Sequence, residues 1–203
     1  MAVKHVGIDL GTTTSGLAYI RSDGNPEIVP DADGERLTPS VVYFDSHEDV
    51  KLVGTAARDG GDPDRTIQLI KRHMDDPNHV VTIDGRAWTP TEISAIIMAK
   101  LKRDCERTVG PMDECVVTVP ANFNELARRA TIAAGRIAGF TVKRIVNEPT
   151  AAALYYAHLH KVQGRILIYD LGGGTLDITI LEVNGDDVRI LVSEGARRLG
   201  GSN

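Results

Sequence analysis

The chain has 203 residues, enough for one large domain or two small ones, with 42% hydrophobic and 25% charged residues, the balance of a soluble globular protein. The net charge of −5 supplies no large basic surface for a phosphate backbone, which argues against nucleic-acid binding. The start, Met1 to His5, lacks the apolar segment of a secretory signal, and no apolar run approaches membrane-spanning length, so a cytoplasmic protein without a membrane partner is expected.

Residues 3 to 20 read as a hairpin in which Val6-Gly7-Ile8 leads into Asp9-Leu10-Gly11-Thr12-Thr13-Thr14 and a second strand returns. Glu27 to Pro30 forms a short third strand, 31–38 a polar loop, and Val41 to Phe44 another strand. Thr55 to Arg58 begins a short helix, and Pro63 or Asp64 opens a second one that ends at Lys71. Val80 to Ile83 and Arg86 to Trp88 flank an Asp84-Gly85 hairpin turn. Thr89, Pro90 and Glu92 then form a capping box, and Ile93, Ile96, Ile97, Leu101 and Cys105 line one face of the helix that follows.

Cys115 to Val119 is a strand ending at Pro120. Asn122 or Asn124 caps a helix whose alanine-rich face implies close approach to a sheet. Thr141 to Val146 is a strand, and Pro149 starts a helix reaching about Leu159. Ile166 to Tyr169 reads as a buried strand, Ile178 to Leu181 as its returning partner, and Val188 to Val192 as a further strand. Cys105 and Cys115 fall in regular segments and read as buried thiols, and the scattered histidines give no metal-binding spacing. Strands first, then strands alternating with helices, make an α/β plan with one mixed sheet and an inserted region around residues 37 to 115.

The turn Asp170-Leu171-Gly172-Gly173-Gly174-Thr175-Leu176-Asp177 repeats the pattern seen at Asp9. Three successive glycines lose much backbone entropy on ordering, and close approach of a phosphate to main-chain N–H groups is one reason for them. Acidic residues beside a phosphate imply a cation between them. Mg²⁺ suits this, since it keeps several waters and takes one or two carboxylates. Two such hairpins face to face would clamp a phosphate chain, with Asp9 and Asp170 on the magnesium through water. Either loop alone reads as a glycine-rich hairpin turn; the pairing is what points to a ligand. There is no Gly-x-x-x-x-Gly-Lys-Ser/Thr loop, and neither glycine stretch runs into a helix, so a dinucleotide fingerprint lacks its context. Lys71 reads as a solvated lysine at a helix end or as a point charge aimed at the terminal phosphate. Glu148 reads as an acid favouring a helix N-terminus or as the carboxylate that positions an attacking water.

Gly7-Ile8-Asp9-Leu10-Gly11-Thr12-Thr13, Leu37-Thr38-Pro39-Ser40, Lys71-Arg72, Val117-Thr118-Val119-Pro120-Ala121, Asn147-Glu148-Pro149-Thr150-Ala151-Ala152-Ala153 and Asp170 to Thr175 together resemble, in order, the seventy-kilodalton heat-shock chaperones of the DnaK type. The resemblance covers essentially the whole chain. It implies the actin-like ATPase (ribonuclease H-like) fold, with a mixed five-stranded sheet and flanking helices. Residues 1–162 would be the first lobe and 164–203 the start of a second, with over a hundred further residues expected. It implies ATP or ADP with Mg²⁺, and K⁺ as a further ion.

Carried over by position, Lys71, Glu148, Thr175 and Asp177 match catalytic residues, and Asp9 and Asp170 match the magnesium side. Gly11, Thr12, Thr13, Thr14, Gly172, Gly173, Gly174, Thr175, Gly200 and Gly201 match nucleotide-binding positions. Pro120, Arg128 and Arg144 match residues that couple nucleotide state to the interdomain linker or a J-domain partner. Unfolded clients, a J-domain co-chaperone and a nucleotide-exchange factor are the implied partners, in protein folding and the stress response. Asn122 stands where an aromatic is usual, Gly195-Ala196-Arg197-Arg198 replaces Gly-Asp-Thr-His, and the segment from Lys71 to Trp88 is short. A filament ATPase of the actin or MreB kind, a small-molecule kinase and a non-enzymatic scaffold are the alternatives on the same fold.

Overall fold

The computed structural model describes residues 5–46, 51–185, 187–197 and 199–202. Val3 and Lys4 of the expected opening hairpin, and Arg198 of the altered segment, lie outside them. The remainder of that hairpin forms as expected from β1 (His5–Leu10) and β2 (Thr14–Ile20), and β3 (Pro26–Ile28) and the two-residue β4 (Thr38–Pro39) both pair with β2. β5 (Val41–Phe44) and β6 (Lys51–Val53) precede a short helix, α1 (Thr55–Gly60), and β7 (Thr66–Gln68) returns to the other edge of β5.

β8 (Val81–Ile83) and β9 (Arg86–Trp88) make the Asp-Gly hairpin. Asp84 and Gly85 have φ of 51° and 76°, the left-handed pair that such a two-residue turn requires. α2 (Pro90–Val109) begins with the complete Thr89–Glu92 capping box. β10 (Glu114–Val119), α3 (Glu125–Ile137), β11 (Thr141–Asn147) and α4 (Glu148–His160) follow, and β12 (Gly164–Leu171), β13 (Thr175–Asn184) and β14 (Asp187–Arg197) form a separate antiparallel sheet. Among the described residues no helix is long and apolar enough to cross a membrane.

The main sheet has the order β11-β10-β1-β2-β3, with β4 off this path. β1 runs parallel to β10 and β10 to β11, whereas β1–β2 and β2–β3 are antiparallel, so the sheet is mixed with five strands on its main path as expected, and β4 adds a sixth. Alternation sends Val6, Ile8 and Leu10 of β1, and Cys115 and Val117 of β10, into the core beside Ile93, Ile97, Met98, Leu101 and Cys105 of α2. Both thiols are buried, and burial pushes that of Cys115 up to about 11. Asn124, not Asn122, caps α3 by accepting from the Ala127 amide. The small face of α3 does meet the sheet: a Cβ on Gly135 would lie 2.5 Å from a Val142 methyl of β11.

Two expectations fail. The helix from Pro63 to Lys71 does not form: Thr66 and Ile67 are β-branched and pair with β5 as β7, and Leu69 turns left-handed with φ 58°. Lys71 therefore sits in a short 3-10 turn, Ile70–His73, and is buried, which removes the reading of a solvated helix-end lysine. The strand through Ile166 to Tyr169 is covered on one face only. Ile166 and Ile168 pack with Leu181, Val183 and Ala153 beneath α4, whereas Leu167 and Tyr169 are each 60% exposed. An antiparallel sheet with one open face needs only alternate residues buried.

Candidate functional site

The two Asp-Leu-Gly turns meet. The first joins β1 to β2, and a Cβ on Gly11 would come within 2.0 Å of the Thr14 carbonyl oxygen, so this turn is built for glycine. The second joins β12 to β13 and is closed by the Gly172 amide donating to the Thr175 carbonyl at 2.9 Å. A Cβ on Gly173 would lie 2.2 Å from a Thr13 methyl, and one on Gly174 3.0 Å from a Thr12 methyl. The turns thus touch across the gap between the two sheets, as the paired motifs predicted.

Each turn is braced from behind. The Ser40 amide donates to the Thr13 carbonyl at 2.8 Å, and the Ser40 hydroxyl to the Gly11 carbonyl at 2.9 Å. The Gly201 and Ser202 amides donate to the carbonyls of Gly172 and Gly173, with Gly200 packed directly on that backbone. Gly200 and Gly201 therefore support the second turn and do not line the cleft in front of it.

That cleft has a volume of about 380 Å³. Its walls include Asp9, Gly11, Thr12, Thr13 and Thr14 on one side and Asp170, Gly172, Gly173 and Thr175 on the other. Lys71 and Glu148 complete it. The Lys71 ammonium donates to Glu148 Oε1 at 2.6 Å and lies 5.7 Å from the centre of the Phe123 ring. The unusual turn at Leu69 is what aims Lys71 inward. Glu148 is placed by β11, which delivers it at the first position of α4.

The carboxylates here are under electrostatic stress. Burial raises the Glu148 carboxyl above its ordinary value; Lys71 opposes the rise, and Asp9 and Asp170 add to it. Burial, then the charge of Asp9, raises Asp170. Asp177 faces Asp170 across the β12–β13 ladder, is 2% exposed, and is raised first by burial and then by Asp170. Its Oδ1 is buried with no hydrogen-bond partner among the described residues. Asp9 accepts from the Thr118 hydroxyl at 2.7 Å. Asp9 and Asp170 face one cleft, and the charge of Asp9 adds to the burial that raises Asp170; carboxylate oxygens of this kind suit a hard cation, although no group of three or more His, Cys, Asp or Glu among the described residues is placed to hold one.

The three residues expected to couple nucleotide state lie apart. Arg128 donates to the carbonyls of Ala121 and Phe123 and to Asn147 Oδ1, tying the segment after β10 to the residue before Glu148. Pro120 is buried in that same segment. Arg144 is exposed on β11, an edge strand, away from the cleft. Three residues with no role expected from their residue types alone also serve the site. Arg72 donates from Nη2 to the Gly173 carbonyl at 3.0 Å, Thr118 holds Asp9, and Ser40 holds the first turn. All three stand inside the quoted motifs. Membership of those motifs was the signal that could have found them.

A family model described as Hsp70 protein matches residues 5–203. The chain belongs to the Hsp70 family. A chaperone protein DnaK from Thermotoga neapolitana is 47% identical over 203 aligned residues, 98% of this chain. The chain spans 34% of the length of that DnaK. Membership makes this the chaperone ATPase family, and the mixed sheet with its helices is consistent with the actin-like Hsp70 nucleotide-binding architecture.

Proposed function

We propose that this chain supplies the phosphate-gripping part of an ATP-binding and ATP-hydrolysing domain in a chaperone of the Hsp70 family. The observation that carries the reading is the meeting of the two Asp-Leu-Gly turns in one cleft beside the Lys71–Glu148 pair. Residues 1–162 form the first lobe, with its insertion at about 37–115, and 164–203 begin the second.

In this reading the backbone amides and hydroxyls of Gly11 to Thr14 and of Gly172 to Thr175 hold the phosphates of ATP from both sides. Asp9 and Asp170 would hold Mg²⁺ through water, and the metal would supply charge neutralisation at the phosphates; K⁺ is a further candidate ion. Lys71 places a fixed positive charge toward the terminal phosphate, where charge develops. Glu148, raised and buried, orients a water and accepts its proton. The water oxygen bonds to the γ-phosphorus as the bridging P–O bond breaks, and its electron pair leaves on ADP. Little covalent work falls to the protein; positioning and charge carry the step.

ATP or ADP state would then be read by Pro120 and Arg128 behind the catalytic pair, and at the surface by Arg144. Unfolded clients, a J-domain co-chaperone and an exchange factor are the partners of the longer protein, in the cytoplasm. A filament ATPase of the actin or MreB kind is the second reading; polymer growth on adding ATP would favour it.

The test is titration of the full-length protein with ATP and Mg²⁺, followed by turnover. One nucleotide bound per chain, and turnover lost in Lys71→Ala, is the expected result. No binding, or undiminished turnover in that variant, overturns the assignment.

A further inference from the structure

The buried Oδ1 of Asp177, without a hydrogen-bond partner among the described residues, is costly to leave so. On the same face of β13, two residues earlier, stands Thr175, a wall of the phosphate cleft. Asp177 pairs with Gly195 across the β13–β14 ladder. A Cβ on Gly195 would lie 2.3 Å from Asp177 Oδ1 and 2.6 Å from Asn122 Nδ2. A carboxylate of the second sheet and a carboxamide from the segment after β10 therefore converge on one bare piece of backbone, and only glycine leaves room for both.

The neighbours of Asn122 hold it in place. The Phe123 amide donates to the Pro120 carbonyl at 3.1 Å, closing a turn around it. Arg128 grips the carbonyls of Ala121 and Phe123, on either side, at 3.3 and 3.0 Å. Asn122 Nδ2 is itself buried. In the family pattern an aromatic stands at this position, so the departure brings a carboxamide, with its two N–H donors, beside Asp177.

We infer that Asn122 is a positioning residue for Asp177: once nucleotide draws the two glycine turns together, its side-chain amide donates to Asp177 Oδ1 past Gly195 and fixes that carboxylate beside Thr175. The inference rests on the nucleotide reading above and goes beyond it by naming what orients Asp177. A hydrogen bond to an ionised acceptor is among the stronger ones, and here it joins the turn held by Arg128 to the reacting end of ATP.

The experiment is steady-state ATP turnover by the full-length protein with Mg²⁺, alongside calorimetric titration with ATP. Asn122→Leu keeps the shape of the side chain and removes the donor. It is expected to lower kcat about tenfold, as loss of a hydrogen bond to a charged group does, with ATP affinity within about twofold of wild type. Asn122→Asp, of the same shape, sets a second carboxylate against Asp177 and is expected to lower kcat further. In an Asp177→Ala background, Asn122→Leu is expected to cost less than about twofold, because its partner is gone. Normal ATP binding reports that a variant is folded; where Asn122→Leu loses it, Asn122→Asp decides. Undiminished kcat in both variants with ATP bound normally, or an equal loss with and without Asp177, overturns the inference while the nucleotide reading stands. Failure of wild type to bind ATP at all is the failure of that reading instead.

Discussion

Lys71 Nζ and Glu148 Oε1 lie 2.6 Å apart across 77 positions of sequence. The lysine comes from a 3-10 turn beside the small β6-β5-β7 sheet, the glutamate from the first turn of α4. Groups that act as one unit give non-additive losses. In the full-length protein Lys71→Met is expected to lower ATP turnover by about 100- to 1,000-fold, the scale of losing one preorganised charge at a reacting phosphate. The double variant Lys71→Met/Glu148→Gln is expected to fall no further than about threefold below the worse single variant. Single-turnover assays with all three proteins check this, and fully additive losses would show that the two side chains work separately.

Asp177 is held at a cost in stability. Its carboxyl is raised above the ordinary value of 3.8 by burial and by Asp170. A carboxyl raised in the folded state binds more protons there than in the unfolded chain. Its favourable contribution is thus full below the ordinary value and is lost as pH rises through the raised one. Asp177→Asn is expected to stabilise the nucleotide-free protein at pH 7 by ~1 kcal/mol, and to give no advantage below the ordinary aspartate range. Urea denaturation across pH measures it. A variant less stable than wild type at pH 7 would contradict the account.

Gly11 and Gly7 make a matched pair of glycines near one another in sequence. A Cβ on Gly11 would strike the Thr14 carbonyl, whereas one on Gly7 would meet nothing within 4 Å. Gly11→Ala is expected to cost ~1–3 kcal/mol, as overpacking does, and to weaken ATP binding at least about tenfold. Gly7→Ala is expected to leave both within a factor of about two, as surface substitutions away from such features do. Calorimetric titration with nucleotide, alongside denaturation, separates the two.

Away from the cleft, Lys100 is buried between two acids, 2.5 Å from Asp104 Oδ2 and 3.7 Å from Asp31 Oδ2. Asp31 also accepts from the Thr38 hydroxyl and from the amides of Asp33 and Glu35, so the cluster pins the loop before β4 to α2. Lys100→Met removes the cation shared by buried Asp31 and Asp104, leaving Asp104 only Arg107 at 3.8 Å, and is expected to cost ~3 kcal/mol. Equal stability to wild type by denaturant melt would show that the cluster is solvated.

Strongly periodic or capped segments were legible in the sequence: α2 with its capping box, the Asp-Gly hairpin, and the opposed glycine turns. The segment 63–71 was not. Its apolar residues fit a helical spacing, but Thr66 and Ile67 gain more by pairing with β5, a partner distant in sequence that no local pattern reveals. The environment of Lys71 was hidden for the same reason, because the left-handed Leu69 that aims it is a consequence of ending that strand. The open face of β12 was misjudged because an uninterrupted apolar run does not say how many of its faces are covered. Arg72, Thr118 and Ser40 stand inside quoted motifs, but their roles were not legible there, because each acts through a contact with a different motif.

The most direct measurement is a crystal structure of the full-length Glu148→Gln protein with ATP and Mg²⁺. The account predicts a triphosphate between Gly11–Thr14 and Gly172–Thr175, with the metal on the side of Asp9 and Asp170 and Lys71 facing the terminal phosphate. A nucleotide bound elsewhere, or phosphates held by only one of the two turns, would contradict it.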